Sequence, residues 1–387
     1  MPLHIASFDD IRAGKTTDVY FERTRRVLEA EGRNPRVRAE FMAKALPHGW
    51  PWGLLAGVEE CVALLVGRAV TVRAMAEGTP FRPLQPVLEI EGPYLEFGLL
   101  ETAVLGLLCQ ATGIATAAAR CKKLAGERLV LSFGARRLHP AISPMIERAA
   151  YIGGCDGVSS LAAAQLIRHD PTGTIPHALI LIMGDTVDAV RAFDRVIEPG
   201  VPRVALIDTF QDEKFEAVRV AEALGEALAG VRLDTPSSRR GDFLQLLREV
   251  RWELDLRGFR HVRIYVSGGI GEEEIQQLAS VVDGFGVGGD IAAAPIVDFS
   301  MDLVEIEGRP LAKRGKWSGA KQVWRCPRCG VDEVLPLVED GGPCPCGGRR
   351  EPLLQPLLID GGLAAPLPTP DAIRERALRQ VAAMGTL

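Results

Sequence analysis

The chain of 387 residues has no excess of basic residues and no disorder signature. Its 45 Lys and Arg are outnumbered by 50 Asp and Glu, which gives a formal net charge of -5 and a pI of about 5.8. This balance argues against a general nucleic-acid or membrane-surface binder, so an anionic ligand must be met by local clusters. Apolar residues make up 47% and charged residues 25%. This composition is globular and excludes a fibrous protein or an extended tail.

The chain also lacks a recognisable targeting signal. Its first ten residues, MPLHIASFDD, carry two Asp and no basic-then-apolar run, so we expect a cytoplasmic protein. The most apolar stretch, residues 98–119, contains Glu101 and Gln110 among several Gly and Ala. This composition favours a buried helix over a membrane span.

Short runs rich in Val, Ile and Leu alternate with segments of helical period from Arg128 onward. This alternation is typical of consecutive parallel βα units. The runs lie at 129–134, 157–160, 204–208, 231–234, 263–269 and 284–289. Because a complete barrel has eight strands, six runs favour an irregular, incomplete βα barrel, with a doubly wound open sheet as the alternative. A functional site at the carboxyl ends of these strands would gather Phe133, Arg136, Ser159, Asp208, Asp234, Ser267 and Gly288.

The sequence divides into segments of different character, and the predicted class is α/β. Residues 1–125 read as an N-terminal α+β domain and residues 126–295 as the βα barrel. The alternating, basic segment 296–325 is predicted to return strands to the first domain. A cysteine-rich module at 326–350 and a C-terminal segment at 351–387, with a helix from about Thr369, complete the chain.

Four of the eight cysteines form two close pairs, and the other four are scattered in apolar segments, where free thiols behave as small apolar side chains. The spacing of the two pairs predicts a closed, structural tetrahedral Zn²⁺ site, against a disulfide or a vestigial site. A nucleic-acid-binding zinc ribbon is a rival of a different class, but the module has few aromatic residues. The paired cysteines are Cys326, Cys329, Cys344 and Cys346.

Arg232 and Asp234 end one predicted strand, and glycine pairs end the next two. The arginine and aspartate could be a structural ion pair, or a carboxylate for ribose hydroxyls or Mg²⁺ beside a guanidinium suited to phosphate. Gly268-Gly269 and Gly288-Gly289 could cradle phosphate at helix starts. Three glutamates at 272–274 would repel a phosphate that they faced, which favours the second pair.

An aromatic ring and two arginines end another strand, and a histidine follows a glycine-containing loop. Phe133 with Arg136 suits a flat anionic ring, although a core Phe beside a solvated Arg pair has the same sequence. His177 could be a helix cap, a structural residue, or a nucleophile toward a phosphoryl group.

Together these residues resemble nicotinate phosphoribosyltransferase, a type II phosphoribosyltransferase, over nearly the whole chain. The similarity rests on five short motifs in the family's order. They are Thr-Asp-Val-Tyr at 17–20, Ser-Phe-Gly-Ala-Arg-Arg at 132–137, Gly-Thr-Ile-Pro-His at 173–177, Arg-Leu-Asp at 232–234, and a segment at 313–325 with Gly-Lys-Trp-Ser and Lys-Gln-Val.

The resemblance implies a glycosyl transfer in NAD salvage, from phosphoribosyl pyrophosphate (PRPP) to nicotinate. Nicotinate would stack between Phe133 and Tyr20, with Tyr20 coming from the second subunit of a homodimer that could assemble further. Arg136 would lie near the carboxylate or the phosphate. His177 would be phosphorylated by ATP, a ligase-type coupling of ATP hydrolysis to synthesis of nicotinate mononucleotide.

The remaining implied contacts concern PRPP and its metal. Arg232, Asp234 and the two glycine pairs would hold PRPP with Mg²⁺. Further expected substrate contacts are Asp208, Ser159, Ser267 and Lys316, the last in its Gly-Lys-x-Ser segment. The expected ligands are therefore nicotinate, PRPP, ATP, Mg²⁺ and a structural Zn²⁺, with no nucleic acid and no membrane partner.

Alternatives to nicotinate stay open. Nicotinamide phosphoribosyltransferases tend to carry an acid where Ser159 aligns, so Ser159 favours the acid substrate and Ser159→Asp is predicted to favour the amide. Quinolinate phosphoribosyltransferase shares the fold, but needs more basic groups and has no reason to keep the His177 loop. Residues 235–239 depart from the family's Ser-Gly-Asp, which puts the contacts after Asp234 in doubt. A sugar-phosphate barrel would want a strand-end lysine, which none of the runs supplies.

Overall fold

The structure is a computed structural model that describes residues 3–385 and contains two compact units. Unit 1 combines the chain up to Thr116 with the chain from Pro295 onward, and unit 2 spans Ala117–Ala294.

The helices and strands follow one another along the chain in three stretches. The first contains α1 (Phe8–Arg12), α2 (Val19–Ala30), β1 (Arg36–Ala43), β2 (Gly53–Leu54), α3 (Val58–Leu65), β3 (Thr71–Met75), β4 (Pro80–Phe81), β5 (Pro86–Pro93), α4 (Tyr94–Phe97) and α5 (Glu101–Ala125). The second contains β6 (Leu129–Ser132), α6 (Ser143–Ile152), β7 (Gly157–Val158), α7 (Leu161–Ile167), α8 (His177–Met183), α9 (Thr186–Val196), β8 (Arg203–Leu206), α10 (Glu213–Leu224), β9 (Leu228–Leu233), α11 (Phe243–Leu256), β10 (Arg263–Ser267), α12 (Glu272–Leu278), β11 (Gly284–Val287) and α13 (Gly289–Ala292). The third contains β12 (Phe299–Ile306), β13 (Arg309–Pro310), β14 (Lys321–Arg325), β15 (Asp332–Pro336), β16 (Glu351–Pro352), β17 (Leu354–Ile359), β18 (Gly362–Leu363) and α14 (Pro370–Ala383).

Unit 2 is built on a six-stranded parallel sheet in the order β7-β6-β11-β10-β9-β8, curled into a half barrel. Each of the six apolar runs predicted from the sequence forms one of its strands. The predicted incomplete βα barrel is therefore confirmed, and the open doubly wound sheet is not the architecture. The parallel pairing brings the carboxyl ends of the strands to one edge, where connecting loops can assemble a site.

Glycines on the strands of unit 2 make room for large aromatic rings. A Cβ atom added to Gly230 would lie 2.8 Å from the Tyr265 ring, and one added to Gly284 would lie 2.9 Å from it. Real Cβ atoms do not approach other carbon atoms this closely, so glycine is required at both positions. The ring of Tyr265 thus packs over the neighbouring strands β9 and β11.

Unit 1 is built on a seven-stranded sheet in the order β13-β12-β1-β5-β3-β17-β18. Strand β12 pairs antiparallel with β1, so the segment after residue 295 returns a strand to the N-terminal α+β sheet, as the sequence predicts. Strand β17, from the segment 351–387, also joins this sheet by pairing antiparallel with β3, which the sequence did not predict. A second detail differs, because β14 pairs with β15 and β16 in a separate three-stranded sheet. In this sheet Val323 of β14 lies opposite Val334 of β15, so β14 belongs to the cysteine-rich module.

The long apolar segment forms a core helix of unit 1 over most of its length. Residues 94–125 are long and apolar enough to cross a membrane, but more than half of the most apolar stretch is buried inside the protein. The Thr116 hydroxyl accepts a hydrogen bond from the backbone amide of Leu54 at 2.8 Å, and that of Thr112 accepts one from Ala56 at 3.2 Å. These buried polar contacts serve the fold of the unit, in agreement with the buried helix predicted from composition.

Candidate functional site

Three polar side chains meet at the carboxyl edge of the unit 2 sheet. Asp234 directly follows β9, and Ser267 ends β10. The Ser267 hydroxyl donates to Asp234 Oδ1 at 2.8 Å and accepts from Arg232 Nη1 at 3.2 Å. A second nitrogen of Arg232 donates to the carbonyl oxygen of Ile175 at 3.4 Å, which links this cluster to the loop before His177. The structure therefore brings together three of the segments singled out in the sequence: 232–234, the end of β10 at Ser267, and the loop 173–177.

Burial and nearby carboxylates act in opposite directions on the Arg232 guanidinium. Burial lowers the pKa of the Arg232 guanidinium, against the opposing effect of Asp234 and Asp208. Arg232 Nη1 lies 3.9 Å from Asp234 Oδ2, and within the described residues that oxygen accepts no hydrogen bond. A cation and a free carboxylate oxygen thus face the same space, which suits a ligand carrying both phosphate and hydroxyl groups.

The loop after β10 has two consecutive glycines with left-handed backbone conformations. Gly268 has a φ of 81° and Gly269 a φ of 68°. A Cβ atom on Gly268 would lie 2.6 Å from Asp234 Oδ1, so this backbone approaches the carboxylate closely. Arg240 donates to the carbonyl oxygens of Thr235 at 2.6 Å, Ser267 at 3.0 Å and Gly268. Arg239 and Arg240 follow Asp234 closely in the sequence, but these contacts of Arg240 with carbonyl oxygens could not be predicted from that spacing.

The Phe133 ring lies on the inner face of the half barrel over Gly286. A Cβ atom on Gly286 would lie 2.4 Å from the ring, so the ring depends on glycine there. The guanidinium carbon of Arg232 is 5.9 Å from the ring centroid. The backbone amide of Phe133 donates to Val287 at 2.8 Å, which fixes the position from which the ring projects. Phe133 is therefore neither a fully buried core residue nor a free surface side chain.

A cavity of about 570 Å³ lies inside the half barrel, and Phe133 forms part of its wall. Among the described residues that line it, Arg232 is the one Lys or Arg, and Asp170 and Glu198 are the acids. The rest of the lining is largely apolar, including Leu131, Val204 and Tyr265. A mostly apolar cavity with few polar groups is typical of a site for a small aromatic ligand.

His177 begins α8 and forms a pair with Asp208, which follows β8. His177 Nε2 lies 3.2 Å from Asp208 Oδ1, the histidine side chain is 41% exposed, and the aspartate side chain is 3% exposed. Burial raises the pKa of the Asp208 carboxyl, partly offset by the charge of His177. A carboxylate that holds one ring nitrogen fixes the orientation of the imidazole and leaves the other nitrogen for chemistry.

The second glycine pair, Gly288-Gly289, and Arg136 lie in neighbouring loops. Arg136 lies in a short 3-10 turn and is close enough to Arg232 to lower the pKa of its guanidinium. Gly288 and Gly289 start α13, which has only four residues, and a Cβ atom on Gly134 would lie 2.7 Å from the Gly288 carbonyl oxygen. The two strand-end loops are therefore in contact.

The acidic side chains near these loops do not favour the second glycine pair as the phosphate cradle. Glu272 pairs with Arg120 at 2.6 Å, and Glu274 accepts from the Gly271 amide at 2.9 Å, so both are engaged. Asp290, directly after the second pair, packs against Gly271, and burial together with Glu274 raises the pKa of its carboxyl. Acids therefore lie near both glycine pairs, and these contacts do not distinguish which pair would cradle a phosphate.

Ser159 is engaged with a buried glutamate that the sequence analysis did not single out. Its hydroxyl donates to Glu147 Oε1 at 2.7 Å and its amide donates to the same oxygen at 2.9 Å. The amide and hydroxyl of Ser160 donate to the other oxygen, at 2.8 and 2.6 Å. The side chain of Glu147 is fully buried. Both serines therefore satisfy a buried carboxylate, a role that helical periodicity in the sequence does not reveal.

Two expected site residues, Tyr20 and Lys316, lie in unit 1. Tyr20 is on α2, is 57% exposed, and contacts the Phe21 ring at 4.3 Å between centroids. Lys316 pairs with the buried Asp302 at 2.6 Å and donates to Ser300 at 3.2 Å. Within the described chain, Lys316 thus has protein partners, whereas the Tyr20 ring presents an open face.

The four paired cysteines converge in unit 1 as the sequence predicts. Their sulfur atoms lie within 4.8 Å of one another, with Cys326 and Cys346 at 3.5 Å and Cys329 and Cys344 at 3.5 Å. In the part of the chain that the structure describes, no cysteine is in a disulfide. Desolvation raises the pKa of the Cys326 thiol, but amide hydrogen bonds from Cys329 and Arg328 bring that pKa down to about 7. The cluster could hold a metal ion, and four thiolates suit Zn²⁺.

With this geometry established, comparisons with known proteins define the class. The N-terminal domain of quinolinate phosphoribosyl transferase matches residues 18–112, and the C-terminal domain of the same family matches residues 114–302. A nicotinate phosphoribosyltransferase of Mycobacterium tuberculosis is 32% identical over 375 residues, covering 85% of this chain and 82% of the relative. The chain is a phosphoribosyltransferase by fold and by sequence.

Solved structures show the same relationship. A nicotinate-nucleotide pyrophosphorylase from Pyrococcus furiosus is 54% identical, with a TM-score of 0.97 over 99% of this chain and 98% of that one. Human nicotinic acid phosphoribosyltransferase, at 23% identity and a TM-score of 0.76 over 95% of this chain and 94% of that one, shares the fold. The chain belongs to the type II phosphoribosyltransferases, the family of the quinolinate and nicotinate enzymes.

The comparisons differ in the acceptor substrate that they favour. The curated relatives carry the name nicotinate phosphoribosyltransferase, but the two family domains are those of the quinolinate enzyme. Together with the 54% identical pyrophosphorylase, they favour the quinolinate alternative over the nicotinate interpretation. No comparison supports coupling to ATP.

Proposed function

We propose that this enzyme transfers the phosphoribosyl group of PRPP to a pyridine carboxylate and forms nicotinate mononucleotide and diphosphate. The observation that carries the proposal is the Arg232, Ser267 and Asp234 cluster, whose Arg232 also lines the cavity walled by Phe133. Arg232 offers a cation to phosphate or carboxylate, and Asp234 offers a free carboxylate oxygen to ribose hydroxyls or to Mg²⁺ bound with PRPP. The Phe133 ring offers a stacking surface for the pyridine.

The phosphoribosyl transfer requires few further groups from the protein. As diphosphate leaves, the anomeric carbon develops oxocarbenium character, which the nearby Asp234 carboxylate stabilises electrostatically. Stacking on Phe133 would hold the pyridine nitrogen in line for attack on that carbon from the face opposite the leaving group. Mg²⁺, when bound, would neutralise charge on the departing diphosphate. This division of roles requires no protein nucleophile at the ribose.

Two acceptors are each favoured by a different observation. The family domains favour quinolinate, which carries two carboxylates. The cavity favours nicotinate, because among its described lining residues it has one arginine and two acids. A second carboxylate would lie unpaired beside Asp170 or Glu198, at an energetic cost of roughly 1–3 kcal/mol. Both acceptors lead to the same nucleotide, and quinolinate loses carbon dioxide on the way.

Steady-state assays with each acceptor test this proposal. PRPP and Mg²⁺ are supplied with nicotinate, quinolinate or nicotinamide, and products are identified by mass. Nicotinate mononucleotide formed from nicotinate supports the charge argument, and the same nucleotide formed from quinolinate with release of carbon dioxide supports the family argument. Formation of nicotinamide mononucleotide alone, or no nucleotide from any base, refutes the proposed function.

We further propose that His177 accepts a phosphoryl group from ATP through its Nδ1 atom. Asp208 lies against Nε2, and in the described structure Nδ1 has no hydrogen-bond partner. Nδ1 would attack the γ-phosphorus while the bond to the ADP oxygen breaks, and later hydrolysis would release phosphate and restore the imidazole. A phosphohistidine formed with labelled ATP is stable in base and labile in acid. His177→Ala should lose the label and any stimulation by ATP but keep basal transfer; stimulation that survives refutes this role.

A site shared across a homodimer is the third part of the proposal, and it rests on the open face of Tyr20. Tyr20→Ala and Arg232→Ala should each lose activity, because each removes one side of every site. Random mixing of the two variants makes half of the dimers mixed, and each mixed dimer has one intact site. Activity should therefore recover to about a quarter of the wild-type value. No recovery in a mixture proven to exchange subunits refutes the shared site.

A further inference from the structure

A second cavity in unit 2, of about 840 Å³, opens at the edge of the sheet opposite the candidate site. Its lining includes Leu129, Arg263 and Asp283, which lie at or directly before the amino ends of β6, β10 and β11. Ser267, in the candidate site, ends β10 four residues beyond Arg263. Four residues of strand span about 13 Å, so this cavity is separate from the Arg232, Ser267 and Asp234 cluster, and it shares one lining residue, Leu129, with the 570 Å³ cavity.

This cavity is basic, although the chain as a whole is acidic. Five arginines and a histidine line it, against three acids, although the whole chain has a net charge of -5. Within the described residues, four of the arginine side chains form no hydrogen bond and no ion pair. They are Arg128, Arg248, Arg260 and Arg263. Guanidinium groups gathered around one space repel one another, so a bound anion would relieve that repulsion.

The acids of the cavity offset only part of the positive charge of its arginines. Asp255 pairs with Arg251 at 2.7 Å, and Asp283 accepts a hydrogen bond from the Ile264 amide at 2.8 Å. Arg251 itself is fixed by the carbonyl oxygens of Val262 at 2.6 Å and Phe259 at 3.0 Å. Glu127 is exposed at the margin. With His261 counted as neutral, five arginines and three acids give the described lining of the cavity a net charge of +2.

An exposed tryptophan gives the cavity an aromatic surface. Trp252, on α11, lines the cavity and is 68% exposed. A tryptophan on an open wall beside arginines suits a ligand that combines a flat ring with phosphate groups, since the ring stacks on the indole and the guanidinium groups bind phosphate. The cavity volume lies within the range usual for such ligands.

We propose that this basic cavity, lined by Trp252 and the four unpaired arginines, is a second binding site, separate from the candidate active site, for a nucleoside polyphosphate. Arg128, Arg248, Arg260 and Arg263 bind the phosphates, and Trp252 stacks on the base. The ligand's negative charge, rather than a single directional contact, supplies most of the attraction, so affinity falls as salt rises. The site makes no use of PRPP or of a pyridine acceptor.

Titration calorimetry with ATP and with inorganic tripolyphosphate tests the proposal without any turnover. The double variant Arg248→Glu, Arg263→Glu should weaken ATP binding at this site at least tenfold. Trp252→Leu should weaken ATP binding several-fold while leaving tripolyphosphate binding unchanged. Arg195→Glu, an exposed arginine of unit 2 that does not line the cavity, is the matched control and should change neither. Thermal unfolding confirms that each variant folds.

The readouts separate this site from ATP bound near His177. Trp252 fluorescence, obtained as the difference between wild type and Trp252→Leu, reports the cavity directly and should respond to ATP in a His177→Ala background. Unchanged ATP affinity and stoichiometry in the double variant overturn the proposal. So does a double variant that changes only the oligomeric mass measured by light scattering, because the arginines would then serve contacts between copies. Equal ATP binding by Trp252→Leu overturns the nucleoside assignment.

Discussion

Gly286→Ala is the sharpest test of how the half barrel positions the Phe133 ring. The added Cβ atom would lie 2.4 Å from two carbon atoms of that ring and 3.1 Å from Ser267 Cβ. The backbone at Gly286 is not left-handed, so alanine is conformationally allowed and the perturbation is purely steric. Non-bonded carbon atoms are most stable about 3.5–4.0 Å apart, so the ring must move by about 1 Å.

The backbone that carries the ring has little freedom to move, so the ring itself must shift within the 570 Å³ cavity that it lines. The backbone amide of Phe133 is held by Val287 at 2.8 Å, and a Cβ atom on the next residue, Gly134, would already lie 2.2 Å from Ala292. Overpacking of this kind costs about 1–3 kcal/mol of folding free energy. A displacement of about 1 Å in a substrate-positioning group can lower the rate about 100-fold. We therefore expect kcat/KM for nucleotide formation to fall about 100-fold.

Initial rates and thermal unfolding of the same preparation measure both effects. Gly106→Ala is the matched control, because nothing lies within 4 Å of its added Cβ atom and the position is helical. The control should keep full activity and gain about 0.5–1 kcal/mol of stability. A folded Gly286→Ala enzyme with wild-type kcat and KM would show that the Phe133 ring does not position the substrate.

Three further predictions concern the carboxylates and the cysteines. Ser159→Asp places a second carboxylate against buried Glu147, so it should lower the free energy of unfolding by about 1–3 kcal/mol, measured by denaturant titration. A stable Ser159→Asp variant whose substrate preference shifts towards the amide would support the selectivity role instead. Burial, with Asp302, raises the pKa of Glu101 to about 7, so the folded state binds its proton more tightly and loses stability as pH rises from about 4.5 to 7. Glu101→Gln should therefore be more stable than wild type at pH 8, by roughly 1–3 kcal/mol, and equal to it near pH 4; an equal difference at both pH values contradicts this. The purified protein should hold one Zn²⁺ per chain by elemental analysis. Cys326→Ser should lose the metal and have a lower melting temperature than wild type. A metal-free wild type that is as stable as wild type supplied with Zn²⁺ refutes the zinc site.

The fold follows closely from local sequence patterns in unit 2. Each parallel strand is a short apolar run bounded by polar or glycine residues, so its existence and its carboxyl end can both be predicted. The same reasoning predicted that strands after residue 295 would return to the N-terminal sheet. It did not predict that β14 would leave that sheet, because strand partners depend on long-range pairing and an alternating run fits either sheet.

The candidate site was less predictable than the fold. Arg232, Asp234 and Ser267 share a strand edge, so their meeting follows from topology. The contacts of Glu147 and Arg240 could not be predicted, because their partners are backbone amides, serines and carbonyl oxygens of other loops. Sequence reasoning predicts well which residues meet where strands end, and poorly which loops satisfy a buried polar group.

The most direct test of the central claim is the balance of products from PRPP in wild type and in Asp234→Asn. We predict that wild type forms nicotinate mononucleotide and diphosphate in equal amounts from a pyridine carboxylate. A folded Asp234→Asn enzyme should do so about 100-fold more slowly, because it lacks the charge that stabilises the oxocarbenium ion. No nicotinate mononucleotide from either nicotinate or quinolinate, or a full rate in Asp234→Asn, would contradict the account.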